Sequence, residues 1–600
     1  MFLLWGKHVR KYYPKYFIFF LIGLAALVTV DFFQLKIPNI IGSVVDELNE
    51  NGFIDPQSET FVIRILSVIT VAVVMLIGRV IWRISLFYAS RKMEEHVRQE
   101  MFLKAERLDV TYYHNTKVGN IMSWFTNDIE TLEEFLGWGS LMMIDGTFLT
   151  IFALTKMFIL NSSLAIIALF PILLIALWGA LVEGKMSYIW KLRQESNDEL
   201  YDFSQESFTG IRVIKAFVKE HQQIIAFDKM AHKNKDINVR FTYISVIFDV
   251  MIELIIALVI AVINGFGGWF VWGTVTGNPT HIFGRDILLS AGQLIEFIGY
   301  FTSVIWPMIA IGQVVTMLSK SRASYKRIAA FLDAPEDVKD SEDAVDVDIK
   351  GNIEFKHFNF AYPGNEDRYD LKDINLSIKA GENIGIIGSV GSGKTTLVNM
   401  LLRLYNVEAN TLFIDGVDIM KIKMKSLREA VSMTPQDNFL FSDTIQNNIA
   451  FYDIEQNKER VVEAAEFADV NNDIMDFENK YESVLGENGH TVSGGQKQRI
   501  SLARSYLKNA PIMILDDSVS AVDLKTEENI LKNIKEKRSG KTTIIIASRV
   551  STVMNLDKVI VMNHGAVEAF DTPKKLLKQD GTFAKMAALQ ELEKEKGGSL

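Results

Sequence analysis

Six hundred residues are more than one hydrophobic core organises, so two or more domains are expected. Apolar residues make up 49% of the chain and charged residues 23%, with a formal net charge of −10, and that balance argues against a nucleic-acid binder, which shows a basic face. There is no cysteine, which excludes disulfides and thiolate-held metals.

The long apolar runs fall within residues 1–320. Lys7, Arg10, Lys11 and Lys15 precede the first, from Phe17 to Val30. No small-residue cleavage site closes it, so it reads as a membrane span behind a basic cytoplasmic segment and not as a cleaved signal. Crossing the hydrocarbon takes roughly 20 apolar residues. Six segments qualify: 16–37, 61–88, 136–160, 162–182, 243–272 and 288–318. Between Lys36 and Arg64 lie Asp46, Glu47, Glu50, Asp55 and Glu59, with no Lys or Arg. After the second span come Arg91, Lys92, Arg98, Lys104 and Arg107. After the fourth come Lys185, Lys191, Arg193, Arg212, Lys215 and Lys219. Positive charge marks the cytoplasmic side. Both termini and the hydrophilic second half are therefore expected inside, in a multi-pass protein of the cytoplasmic membrane. The outer turn 161–163 is very short. The inner connections 89–135 and 183–242 are helical in pattern and too polar for lipid, so they extend the spans into the cytoplasm.

Asp31, Asp145, Lys156, Asp249, Glu253 and Glu296 lie within the spans or at their ends. Ionisable groups there face a cavity or a partner. One reading is helix-to-helix hydrogen bonding or a position near the interface; the other is attraction of cationic amphiphiles, for which Glu253 and Glu296 are the stronger candidates. Phe32, Phe33, Phe297, Tyr300, Phe301 and Trp306 are candidate linings of an apolar cavity, most of them better explained by packing or by facing lipid. A charged linker is expected over 321–349, a second domain over 350–585 and a charged tail over 586–600.

Residues 388–395 read Gly-Ser-Val-Gly-Ser-Gly-Lys-Thr, a complete Walker A loop between a β-rich run, 384–387, and a helical one, 397–404. Gly388 and Ser389 open the loop. Backbone N–H groups of Gly391, Ser392, Gly393 and Lys394 are expected to face phosphates at a helix N-terminus. Lys394 supplies a cation to the outer phosphates and Thr395 a hydroxyl to Mg²⁺, with Thr396 beside it. Further on, residues 492–496 read Val-Ser-Gly-Gly-Gln and residues 512–517 read Ile-Met-Ile-Leu-Asp-Asp.

These motifs, in this order, resemble the ATPase domain of ABC transporters, and residues 1–320 resemble the six-helix membrane domain of a type I (type IV by newer naming) ABC exporter. Val118-Gly119-Asn120, Thr126-Asn127-Asp128 and the run from Gly210 to Phe217 resemble that family's two cytoplasmic loops, which carry its coupling helices. The fold implied is an all-α transmembrane domain of six helices followed by an α/β P-loop ATPase domain, with ATP and Mg²⁺ as cofactors. The resemblance makes Tyr362 the aromatic that stacks on adenine and Gln436 the glutamine that touches Mg²⁺ and the attacking water. It makes Asp516 the carboxylate that supports Mg²⁺. Gly486-Glu487-Asn488-Gly489 is similar to the loop that contacts the membrane domain. Ser493, Gly494, Gly495 and Gln496 are similar to the signature that closes over a partner's γ-phosphate, and Ser520-Ala521-Val522-Asp523 to the loop running between the two sites.

Two positions depart from the family. Asp517 stands where a glutamate orients the attacking water, one methylene too short. Ser548 stands where a histidine bonds the γ-phosphate, and it cannot span that gap; His564 lies in a later segment. Catalysis by positioning is steep in distance, and a 1 Å misplacement costs on the order of a hundredfold. The resemblance therefore implies a Walker site that binds ATP and hydrolyses it poorly. It further implies an intact signature that completes the site of a different half-transporter, in preference to a homodimer with two slow sites. The expected activity is ATP-driven export of amphiphilic, multidrug-type compounds, with a lipid flippase as the alternative. A regulatory or channel-like ABC protein is disfavoured, since no long insertion separates the domains. The Lys- and Asn-rich composition suits a bacterium of low genomic GC.

Overall fold

The computed structural model describes residues 6–597, apart from 53–57, 279, 283–284, 365–367, 454, 456, 487–488, 490 and 520–521. Contacts divide the chain into two compact units. One is Met1–Phe102 with Met122–Leu332; the other is Leu103–Ile121 with Asp333–Leu600.

The first unit is helical. Among the described residues five helical segments are long and apolar enough to cross a membrane: Tyr13–Glu50, Glu59–Arg107, Val118–Leu160, Glu220–Val275 and Ala291–Leu332. The sixth expected span, 162–182, forms the first part of the helix Ser162–Thr209. Helices of 48 to 56 residues reach about 70–85 Å at a rise of 1.5 Å per residue, more than twice the hydrocarbon thickness. They are therefore long enough to run on well past a bilayer. The turn between the third and fourth spans shrinks to Asn161, whose side chain accepts from Leu164 N at 2.9 Å and caps the next helix.

Polar contacts fix how these helices meet. Beyond the apolar stretch, Ser162–Thr209 and Glu220–Val275 are tied by Arg193 to Asn238 (2.8 Å) and Asn234 to Asn197 (2.6 Å). Asp128 is buried and accepts from Ser324 and from Arg327 Nε and Nη2, joining the start of the third helical segment to the end of the last. Asp46 accepts from Ser290 Oγ and Gly292 N, capping the entrance to the last span. There Gly42 and Gly292 pack backbone to backbone; a Cβ on Gly292 would lie 2.0 Å from the Gly42 carbonyl oxygen.

The last helix continues to Leu332, so the connecting segment begins at Asp333 and not at residue 321. Leu103–Ile121 belongs with the second unit, a division that hydropathy alone did not suggest. In that unit the helix Val110–Asn115 is capped by Asp109, and Val110 packs on the main core cluster. Lys104 pairs with Glu336 at 2.7 Å.

The second unit is built on a six-stranded sheet. Its spatial order is Ala566–Asp571, Lys558–Asn563, Asn383–Gly388, Thr542–Ile546, Ile512–Asp516 and Val431–Thr434. All neighbours are parallel except the first pair. The two strands Ile512–Asp516 and Thr542–Ile546 are buried at every position, which explains why they read as unbroken apolar runs. A four-stranded antiparallel sheet accompanies it. Around the helix Gly494–Leu507 a second apolar cluster gathers Ile445, Ile449, Phe467 and Ile474.

Residues 586–597 do not form a free tail. They continue the helix Thr582–Gly597, which seats Phe583, Met586 and Ala587 on Ile387, Val550, Val559 and Val561. From this helix Gln590 clamps the loop after Thr542–Ile546. Its Nε2 donates to the Ser548 carbonyl at 2.9 Å, and its Oε1 accepts from Val550 N at 2.8 Å. A hydrogen bond contributes about 0.5–1.5 kcal/mol net. Gln590→Ala is therefore expected to speed hydrogen exchange at the Val550 amide by ~2- to 10-fold, and unchanged exchange would show that the loop is held by other contacts.

Candidate functional site

The parallel register delivers four loops to one edge of the sheet. Ile546 pairs with Ile386 on one side and with Asp516 on the other. The strand ends at Gly388, Asp516 and Ile546 therefore lie side by side, with Thr434 next in order. Ligands bind in α/β sheets at such carboxyl ends.

The loop after Gly388 turns back tightly. Ser392 N donates to the Ser389 carbonyl at 3.2 Å, and the helix Lys394–Leu401 follows. Gly391 and Gly393 have φ of 77° and 94°, the left-handed region that glycine adopts without strain. A Cβ at Gly388 would stand 2.2 Å from the Met562 carbonyl oxygen, and one at Gly393 2.8 Å from Leu371, so neither position accepts a side chain. Lys394 Nζ donates to the Gly388 and Ser389 carbonyls at 3.0 and 2.9 Å. Burial pushes its ammonium below the usual lysine range, opposed by Asp517 and Asp516. Thr396 shares a 2.9 Å hydrogen bond with the Tyr362 hydroxyl, and the Tyr362 ring stands edge-on to Phe360 and Tyr405.

Asp516 is 1% exposed. Burial pushes its carboxyl above the ordinary carboxylate range; the Thr395 hydroxyl and Lys394 oppose this, and Asp517 adds to it. No donor reaches its Oδ2, and Ser392 Oγ, also buried, has no hydrogen-bond partner. A buried carboxylate oxygen lacking a donor, next to a lysine and a cradle without side chains, fits a polyphosphate carrying a divalent cation. In that arrangement Thr395 and Asp516 would hold the metal, and Lys394 with the loop N–H groups the phosphates.

Asp517 follows with φ 47°, its N–H donating to the Ile546 carbonyl at 3.1 Å. Aspartate tolerates this backbone better than most residues. Ser548 is exposed, two residues beyond Thr542–Ile546. Its loop is tied twice: by Gln590, and by buried Glu527, which accepts from Thr552 and pairs with Arg549 at 3.2 Å. Sequence reasoning singled out neither Gln590 nor Glu527, because their partners lie far away in the chain. Gln436 is exposed, just past Val431–Thr434.

Ser493 caps the helix Gly494–Leu507 through a reciprocal pair with Gln496. Gln496 is thereby occupied in the cap and donates onward to Asp473 at 3.2 Å. Gly494 is exposed and has open space around it. Asp523 caps the helix Leu524–Lys537. Glu487, Asn488, Ser520 and Ala521 lie outside the described residues.

In the membrane unit the acidic residues separate. Glu296 is buried and accepts from Asn39 and Tyr300, the helix-to-helix reading. Glu253 and Asp249 are exposed on the helix Glu220–Val275. Phe297, Tyr300 and Phe301 are core packing, whereas Phe32 and Trp306 keep nearly half their surface exposed.

The family model for the ABC transporter transmembrane region matches residues 20–308, and the ABC transporter model matches residues 371–520. The chain is 31% identical over 596 residues to the probable multidrug resistance ABC transporter ATP-binding/permease protein YheI of Bacillus subtilis (strain 168), covering 99% of each protein. It is 32% identical over 572 residues to the multidrug resistance-like ATP-binding protein MdlA of Escherichia coli (strain K12), covering 95% of this chain and 94% of that protein. A solved bacterial Atm1-family ABC exporter with ATP bound shares the fold, with a TM-score of 0.75 at 23% identity over 97% of this chain and 98% of that one. The chain therefore belongs to the ABC transporter family, as an ABC-type ATPase and translocase that carries its membrane region and its ATP-binding region in one polypeptide.

Proposed function

We propose that this chain is one half of a heterodimeric exporter that moves amphiphilic compounds outward across the cytoplasmic membrane, both termini lying inside. Its own Walker site binds ATP and hydrolyses it poorly. One observation carries the reading: an aspartate, Asp517, and a serine, Ser548, occupy the positions where the family resemblance expects a glutamate for the attacking water and a histidine for the γ-phosphate, while the loop around Lys394 and the Asp516 carboxylate are complete. Binding groups are kept and water-activating groups are shortened. The relatives named as multidrug transporters support the substrate class.

A partner is supported by what this half leaves uncovered. The N-terminus of Gly494–Leu507 is exposed at Ser493 and Gly494 and presents helix N–H donors beside the Ser493 cap. The short helix Ile211–Ala216 ends in Phe217 and Val218, 70% and 80% exposed, apolar surface that suits contact with a second half. Hydrolysis is assigned to the partner's site, which this chain's Ser493, Gly494 and Gly495 complete. Tyr362 is assigned to adenine, and Gln436 to Mg²⁺ and water.

Asp517→Glu combined with Ser548→His restores both missing groups. In the assembled complex it is expected to raise ATP turnover at this chain's site, by up to ~100-fold if positioning is the whole defect. The positive φ at residue 517 makes a folding control necessary, and an unchanged rate in a folded, assembled complex would count against the account. The intact mass of the complex drawn from native membrane by a tagged copy tests the partner. One copy of this chain with one different half-transporter is expected; two copies of this chain would overturn the heterodimer.

A further inference from the structure

We propose that the small cavity where the first and third spans meet binds the phosphate of an anionic phospholipid, held between Lys36 and Lys156. The proposal needs only that the first unit spans a membrane. It stands apart from the export reading and from the identity of the partner.

The cavity measures about 170 Å³, below the usual range for a whole small-molecule ligand, and it suits the head of a molecule whose body lies elsewhere. Phe32, Lys36 and Asn39 reach it from one face of the segment Tyr13–Glu50, and Phe152, Thr155 and Lys156 from one face of the helix Ser140–Leu160. Tyr300 of the last span completes the contact. Two ammonium groups thus share one cavity, and among the described residues no carboxylate lines it and neither lysine forms an ion pair. Glu296, which is not part of the lining, accepts from Asn39 and Tyr300; fully ionised, it offsets one of the two lysines and leaves the other uncompensated.

Both lysines are exposed, and a lone lysine near a helix end simply extends its ammonium into the head-group layer. These two instead converge. Lys156 lies four residues before the helix end at Leu160, about 6 Å along the axis, and Lys36 opens the helix Lys36–Asn51 that follows the first apolar run. Lys36 Nζ stands 5.6 Å from the centre of the Phe32 ring, which holds it at the cavity. Like charges brought together disfavour one another, and an anion between them relieves that cost. At this depth a membrane supplies the lipid phosphate, and basic pockets between spans bind such head groups. A phosphodiester spreads its charge over two free oxygens, one for each ammonium, and each ammonium offers three donors. Toward the bilayer centre the same faces turn aromatic: Phe152 lies 6.5 Å from Phe32 and 6.1 Å from Phe148, ring centre to ring centre, and Phe32 keeps 47% of its surface exposed. Acyl chains fit there, and a free phosphate makes no use of it. A cationic amphiphile would meet two ammonium groups and is disfavoured.

The test uses the full chain in its assembled complex, delipidated in a neutral detergent, with native mass spectrometry reading the affinity of the tightest-held lipid. The probes are phosphatidylglycerol and zwitterionic phosphatidylcholine with the same acyl chains, each with and without inorganic phosphate. The wild type is expected to hold phosphatidylglycerol about tenfold more tightly or better, and millimolar phosphate is expected to leave it bound. Each lysine near the surface contributes about fivefold. Lys36→Gln with Lys156→Gln is therefore expected to weaken phosphatidylglycerol binding by ~30-fold and to leave phosphatidylcholine unchanged, while Lys36→Arg with Lys156→Arg keeps the preference. If the double glutamine variant fails to elute as an assembled complex, Lys156→Gln alone is read on the same scale, with a loss of about fivefold expected. Equal affinity of the wild type for the two lipids, or an assembled glutamine variant with wild-type affinity for phosphatidylglycerol, overturns the site. Displacement of phosphatidylglycerol by millimolar phosphate would assign the cavity to a free anion and overturn the lipid.

Discussion

Four parallel strands in one register hold the nucleotide site together. Pairing of Asn383–Gly388, Thr542–Ile546, Ile512–Asp516 and Val431–Thr434 brings chain segments more than a hundred residues apart to a single edge. A shift of one residue would turn every side chain to the opposite face and separate Asp516 from Lys394. The buried aliphatic runs that make these strands are thus also what places the carboxylate beside the phosphate loop. The clash that a Cβ on Gly388 would make with Met562 shows how closely neighbouring backbones must approach there.

In the proposed function, the same edge lets one half keep binding and give up hydrolysis. Binding is there assigned to backbone N–H groups, Lys394 and Asp516, which strands and a helix N-terminus fix. Hydrolysis is assigned to the reach of two side chains beyond those strands, at 517 and 548. Losing reach costs rate steeply and costs the fold nothing, since Asp517 still donates its N–H to Ile546 and the 548–552 loop is still held by Gln590 and Glu527. The membrane unit applies a related rule. Polar side chains such as Asp128, Asp46 and Glu296 are matched by donors and fasten helices.

Much of this was legible in the sequence because it is local. Residues 388–395, 492–496 and 512–517 each carry their own turn, cap or strand signal, and the apolar runs give the spans directly. What stayed hidden is pairing across long chain separation. The Gln590 clamp, the association of residues 103–121 with the second unit and the meeting of Lys36 with Lys156 in one cavity follow from packing between helices, which no periodicity records. Glu296 stayed open between helix-to-helix bonding and a substrate role because Asn39 lies 257 positions away. The 586–597 segment looked like a tail because its charges outnumber the few apolar residues that seat its helix. The linker boundary moved to Asp333 because the last helix outlasts its apolar stretch.

The central claim is that this chain holds ATP without cleaving it while its partner turns over. The most direct measurement is photolabelling of the assembled complex during turnover with azido-ATP labelled at the α- or the γ-phosphate, followed by separation of the subunits. The account predicts that nucleotide attached to this chain keeps its γ-label while the partner's loses it. Loss of the γ-label from this chain at the partner's rate would contradict it.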